Sequence, residues 1–250
     1  MVEVVARVRS RSSDARARAA VARKPRGAAP PYLVYVNRPL GGVVARWAFA
    51  AGVGPDAVTL AGAATAAAAL ALLVVLPADP WVSTVAGALL LVAYVLDSAD
   101  GQLARLRGGG SLAGEWLDHV VDVAKTCAAH AAAAVVLFRT RPFGSDLVLA
   151  VPLVFSGVAV TAFFGFVLRD QLLAHGSRSA PPGSRLSRWV VGPVHDHATF
   201  CLVLATAGWP RVFAVAYTAL AVASVVVVTR ALRRSHAALV AARAPAEETT

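Results

Sequence analysis

Charged side chains are scarce in this chain, and lysine is scarcer still. Of 250 residues only 15% are charged and 7% aromatic, while 58% are hydrophobic, a balance that excludes an ordinary water-soluble domain. Lys24 and Lys125 are the only lysines among 24 basic residues, and the excess of arginine beside so much alanine and valine suggests a high-GC coding bias. Arginine content alone therefore argues for no binding site. Cysteine is nearly absent: Cys127 and Cys201 sit in apolar stretches without metal-ligand spacing, so both read as small buried hydrophobes. The charged N-terminus lacks the apolar core of a secretory signal, so the first apolar run is expected to remain in the mature protein.

What is present runs in long apolar blocks. A helix needs roughly 20 largely apolar residues to cross about 30 Å of hydrocarbon. Residues 57–77, 81–96, 123–138, 147–168 and 212–229 read as spans, the second and third lengthening where their polar ends reach the interface. Residues 198–209 reach spanning length only if Trp189 to Val194 join the same helix. The expectation is an all-α, six-span membrane protein. The net charge of +10 is then an orienting charge rather than a nucleic-acid signal. Ten Lys or Arg precede residue 57, two lie in 97–112, four in 169–196 and four from Arg230 onward, against Arg139, Arg141 and Arg211 on the other side. By the positive-inside rule both termini, and the polar stretch after the second span, face the cytoplasm.

Residues 1–31 are rich in Arg, Ala and Ser, lack apolar periodicity, and read as a basic disordered tail. The segment 32–52 mixes Tyr32, Tyr35 and Trp47 with Arg38 and Arg46, which suits an interfacial segment broken near Pro39, Gly41 and Gly42. Asp56 is placed to cap the first span. Residues 178–188 read as a polar cytoplasmic loop and 236–250 as a flexible tail, leaving 32–235 as the membrane domain.

The chemistry is concentrated in LDSADGQLARLRGGGSLAGEWLDHVVDVAK, residues 96–125, where four aspartates cluster at the ends of two apolar helices. An ionised carboxylate at membrane depth is expensive unless it pairs or binds a cation. At about 100° per residue, Asp97 and Asp100 share one helix face, as do Asp118 and Asp122. Two facing carboxylate pairs make a divalent-cation site, and hard oxygen ligands favour Mg²⁺ or Mn²⁺ over zinc. Four carboxylates suffice for two ions about 4 Å apart, the clamp used in displacement at phosphorus. Gly101 and Ala104 leave room for a ligand, Arg105 offers a fork of donors to phosphate, Gly108 to Gly110 permit a tight reversal, and Gly114 permits close helix packing. Simple ion pairing with Arg105 and Arg107 fails on number, four acids to two arginines. Glu115 shares the face of Asp118 and Asp122 but suits an interfacial or capping role, His119 is turned away, and His130 lies deeper among alanines. Lys125 sits one turn beyond Asp122, placed to pair with an acid or face a cavity.

This stretch resembles the signature of the CDP-alcohol phosphotransferase family, D-x2-D-G-x2-A-R-x8-G-x3-D-x3-D. Asp97, Asp100, Gly101, Ala104, Arg105, Gly114, Asp118 and Asp122 match all eight fixed positions over 26 residues. The six spans and the juxtamembrane segment extend the resemblance over about residues 32–235. It implies attack by an acceptor hydroxyl on the phosphorus of a CDP-linked donor with CMP leaving. It further implies metal binding by Asp97, Asp100 and Asp118, with Asp122 a ligand and general base, and CDP contacts from Asp100, Gly101, Ala104 and Arg105. A homodimer in the cytoplasmic membrane and a CDP-diacylglycerol donor are also implied, with a water-soluble CDP-alcohol as the alternative donor.

For the acceptor, Arg169, Arg178, Arg185, Arg188 and Arg230 lie on the cytoplasmic side, where some could hold a phosphate. Family members acting on inositol phosphate carry an Arg-Pro-Glu-Arg type motif before the fifth span, where this chain has Pro193-Val194-His195-Asp196-His197. RLRGGG nonetheless looks similar to that group, and VNRPL (36–40) looks like members acting on soluble CDP-alcohols or phospho-inositols. Asp196, Arg169 and Arg188 are the acceptor candidates, Asp196 having an interfacial helix cap as its alternative role. Two rival functions remain: an ion-coupled transporter, which calls for acids in several distant spans, and a polyprenyl transferase, which would release pyrophosphate.

Overall fold

A computed structural model describes residues 30–175 and 196–243, and among these every regular element is helical. A π-helical turn, Leu33–Asn37, runs into α1 (Arg38–Ala51). Four long helices follow: α2 (Pro55–Val75), α3 (Pro80–Leu106), α4 (Leu112–Thr140) and, after the 3-10 turn Asp146–Leu149, α5 (Ala150–His175). A short α6 (His197–Leu204) and the long α7 (Pro210–Arg243) complete the bundle.

Each start is written in the sequence. Pro55 and Pro80 open α2 and α3 at first-turn positions where a missing N–H is harmless. Asp79 accepts from the Trp81 and Val82 amides, and the Ser111 hydroxyl from that of Gly114. Between α3 and α4 the chain reverses through Gly108 and Gly109, at φ 100° and 135°, backbone that residues with a Cβ rarely adopt.

Five helices are long and apolar enough to cross a bilayer: Pro55–Val75, Pro80–Leu106, Leu112–Thr140, Asp146–Leu173 and Pro210–Val240. The protein is a multi-pass membrane protein. The expected additional span falls partly on residues 189–194, outside the described residues, and its described part is the eight-residue α6. α2 packs on α3 and α4, α5 on α7 and α4, and α6 against α3. The core is built largely from alanine (Ala66, Ala69, Ala86, Ala129, Ala132, Ala133), which lets backbones approach closely, with Leu70, Leu137, Phe213 and Tyr217 filling between. Leu60, Val75, Val92, Leu153, Phe164 and Val222 point outward, as bilayer-facing residues should.

Several boundaries depart from expectation. No break occurs near Pro39, Gly41 and Gly42: the helix is continuous there, because the widened π turn just before Pro39 makes room for its ring. The two glycines instead admit a neighbour, since a Cβ on either would meet the Gln102 side chain at 3.0 Å. Gln102 Nε2 donates to the Arg38 carbonyl and Asn37 Nδ2 to that of Tyr94, which fastens this segment to α3. Leu40, Val43 and Trp47 form the outward face of α1, the stripe expected of an interfacial helix. The cap of α2 is Gly54, and Asp56 lies in the first turn. Residues 236–243 continue α7 rather than beginning a flexible tail, since ALRRSHAALVAAR is rich in strong helix formers. Cys201 is buried, but Cys127 is exposed on the outer side of a spanning helix.

Gly87 marks a tight crossing, where a Cβ would lie 2.3 Å from the Ala205 Cβ. Gly87→Ala should therefore push α6 from α3 and cost about 1–3 kcal/mol, read as a lower melting temperature in detergent. An unchanged melting temperature would show the contact to be looser than described.

Candidate active site

Asp97 and Asp100 lie on the last three turns of α3, and Asp118 and Asp122 on the first three turns of α4. The glycine reversal between these helices brings their polar ends side by side. One carboxylate oxygen from each of Asp97, Asp118 and Asp122 falls within 4.8 Å of the others. Lys125 Nζ lies 2.6 Å from Asp97 Oδ1 and 2.8 Å from Asp122 Oδ1, bridging α3 and α4. Three half-buried acids gather hard oxygens in one place, and oxygens so gathered fit a divalent cation.

Asp100 stands apart from that trio. It is buried, and its Oδ2 accepts a 2.7 Å hydrogen bond from the Thr59 hydroxyl of α2. Thr59→Val keeps the shape but removes the donor, which should cost about 1–3 kcal/mol of stability. Thr59→Ser should recover it in the same thermal melt, and wild-type stability of the valine variant would refute the bond's importance.

Gly101 presents open space bounded by the Arg105 guanidinium, which a Cβ there would meet at 3.5 Å. The Ala104 carbonyl accepts from the Gly109 amide and closes the reversal. A Cβ on Gly114 would approach Asp56 Oδ1 to 3.1 Å, so that glycine admits the start of α2. Arg107 donates to the Val53 carbonyl.

A cavity of about 230 Å³ runs from the carboxylates into the bundle. Asp97, Asp122, Lys125 and Thr126 line its polar end, and Leu70, Leu90, Phe163 and Phe200 its apolar wall. Tyr94 and His197 also line it, their rings edge to face at 5.0 Å. Beneath, His130 Nδ1 and the Tyr217 hydroxyl are 2.6 Å apart, so His130 is a satisfied core residue.

The acceptor candidates are dispersed. Asp196 is buried at the start of α6, where it caps the helix by accepting from the Ala198 amide. Its carboxylate also accepts from the Tyr94 hydroxyl (3.3 Å) and the Leu33 amide (3.4 Å), tying three segments together. Arg169 is paired with Asp170 and donates to Ser235 Oγ, which links α5 to α7. Arg178, Arg185 and Arg188 lie outside the described residues. Glu115, in the first turn of α4, lies 4.0 Å from His119 and outside the carboxylate trio.

Sequence reasoning gave Thr59 no role, and offered Lys125 pairing with an acid or facing a cavity, both of which the structure shows. A hydroxyl one turn after Pro55 was the signal for Thr59, and the rarity of lysine was the signal for Lys125.

An all-helical membrane bundle that gathers aspartates at the polar ends of two spans defines an integral-membrane, metal-using transferase. The sequence model of the CDP-alcohol phosphatidyltransferase family matches residues 53–228, and the chain belongs to that family. It is a membrane-embedded CDP-alcohol phosphotransferase, moving a substituted phosphate from a CDP-linked donor to an alcohol with release of CMP. The family is metal-dependent. The fold matches that of phosphatidylinositol phosphate synthase from Mycobacterium tuberculosis in two crystal structures. The one with CDP-DAG bound gives a TM-score of 0.55 at 22% identity, covering 80% of this chain and 93% of that one. The one in complex with manganese and citrate gives 0.54 at 24%, covering 78% and 88%. Comparison with curated proteins gave no match.

Proposed function

We propose that the donor is CDP-diacylglycerol, so that the enzyme transfers a phosphatidyl group, and that Asp97, Asp100, Asp118 and Asp122 carry the reaction with Mg²⁺ or Mn²⁺. The observation that carries this reading is the convergence of Asp97, Asp118 and Asp122 within 4.8 Å at the polar end of a membrane bundle. The similar synthase with CDP-DAG bound supports the donor. Four carboxylates offer enough oxygens for two ions, which when bound would neutralise charge developing on the donor's pyrophosphate.

The chain's own residues then divide the work. Gly101 and Ala104 let the cytidine end of the donor lie against α3, while Arg105 supplies phosphate donors and Asp100, fixed by Thr59, orients that end. Asp122 receives the acceptor's hydroxyl proton from the cavity side. Asp196, Arg169 and Arg188 are the candidates for positioning the rest of the acceptor, Asp196 through the Tyr94 hydroxyl it already holds. The charge distribution supports a cytoplasmic membrane location with both termini and the site inside. The membrane domain covers 32–235, preceded by a basic tail, and the chain forms a homodimer.

The test is donor choice. Purified enzyme with CDP-diacylglycerol, or with a water-soluble CDP-alcohol, and a panel of alcohols should release CMP preferentially from the lipid donor. Release only from the soluble donor would overturn the phosphatidyl assignment while leaving the reaction class intact.

A further inference from the structure

We infer that Lys125 is a built-in countercation for the aspartate cluster, one that a divalent ion must displace, so that this residue sets the enzyme's metal affinity. The inference rests on the reading of Asp97, Asp118 and Asp122 as metal ligands.

The geometry carries it. Lys125 Nζ lies 2.6 Å from Asp97 Oδ1 and 2.8 Å from Asp122 Oδ1, contacts that span two helices. A magnesium-sized ion bonds carboxylate oxygens at about 2.0–2.1 Å. An ion between these same oxygens and an ammonium in its present position would occupy overlapping space and repel each other. Among the described residues that line the cavity, the lysine is the one Lys or Arg, and it contacts two of the acids. Its side chain lines the cavity, as do Phe163 and His197, so the ammonium has open space into which to withdraw. Without it, Asp97 and Asp122 would each lose a charge-assisted bond in a half-buried setting.

The consequence is a trade between states. In the metal-free protein the ammonium holds α3 and α4 together. On metal binding those charge-assisted bonds are lost, which weakens apparent affinity. Removing the lysine raises the free energy of the metal-free state and leaves the loaded state less affected, so affinity increases.

Lysine scarcity makes the test clean. Mn²⁺ binding to detergent-purified protein is followed by loss of the free-ion EPR signal, for wild type, Lys125→Met, Lys125→Gln, Lys125→Arg and Asp118→Asn. The two neutral variants should bind Mn²⁺ about 10- to 100-fold more tightly, the range expected when two charge-assisted bonds no longer compete. The arginine variant should stay near wild type. In parallel, wild-type protein is treated with an amine-reactive label, with and without Mn²⁺, and the labelling of Lys125 is compared with that of Lys24, the one other lysine. Mn²⁺ should raise labelling of Lys125 relative to Lys24, a readout that needs no variant to fold. Unchanged or weaker Mn²⁺ binding in the neutral variants, or labelling indifferent to Mn²⁺, would overturn the inference alone. Failure of wild type to bind Mn²⁺, or equal binding by Asp118→Asn, would overturn the metal-site reading and the inference with it.

Discussion

Asp122→Asn should slow CMP release by about 10²–10⁴-fold, the loss expected when a general base is removed. The substitution is nearly isosteric, and the asparagine oxygen can still accept from Lys125, which now lies 2.8 Å from the carboxylate. The fold should therefore survive, with α3 and α4 held by the Asp97 contact at 2.6 Å. What the amide cannot do is accept a proton. Asp122 lines the cavity together with Asp97, Lys125, Thr126 and the apolar wall, so an alcohol entering there meets it. The check is single-turnover CMP release beside a thermal melt. Wild-type turnover in a folded variant would remove Asp122 from the proton's path.

Stripping divalent ions should have the larger effect, abolishing CMP release altogether. Asp97, Asp118 and Asp122 concentrate three carboxylates, two of them in contact with Lys125. A donor pyrophosphate brought beside them would add more negative charge, which Arg105 alone would not offset. Mg²⁺ or Mn²⁺ should restore activity. Ca²⁺ should not, because it takes six to eight oxygens at about 2.3–2.6 Å and would hold the phosphate differently. Full activity in chelator would refute a metal-dependent site.

Much of this was legible because two periodicities coincide in one stretch. The i, i+3 and i, i+4 spacings of Asp97 with Asp100 and Asp118 with Asp122 put each pair on one helix face, and Gly108 to Gly110 dictate the reversal that opposes them. Apolar length likewise found five spanning helices, though α3 and α4 run on past their apolar stretches into the polar site. What stayed hidden depends on contacts between segments distant in sequence. Thr59 meets Asp100 across 41 positions, and Lys125 meets Asp97 across 28. Neither separation leaves a local pattern. Asp196 is similar, since its bonds to Tyr94 and Leu33 can be seen only once α6 is docked. The continuity of α1 through Pro39 was missed for a local reason. Proline followed by two glycines usually ends a helix, and a π turn with close packing against Gln102 overrides that preference here.

The account's central claim is that a divalent ion is held by the signature aspartates. Crystals of the enzyme grown with Mn²⁺ and measured at the manganese absorption edge test it most directly. The prediction is anomalous density bonded to Asp97, Asp118 and Asp122, with the Lys125 ammonium withdrawn from Asp97 and Asp122. Anomalous density only elsewhere, with Lys125 still bridging the two carboxylates, would contradict it.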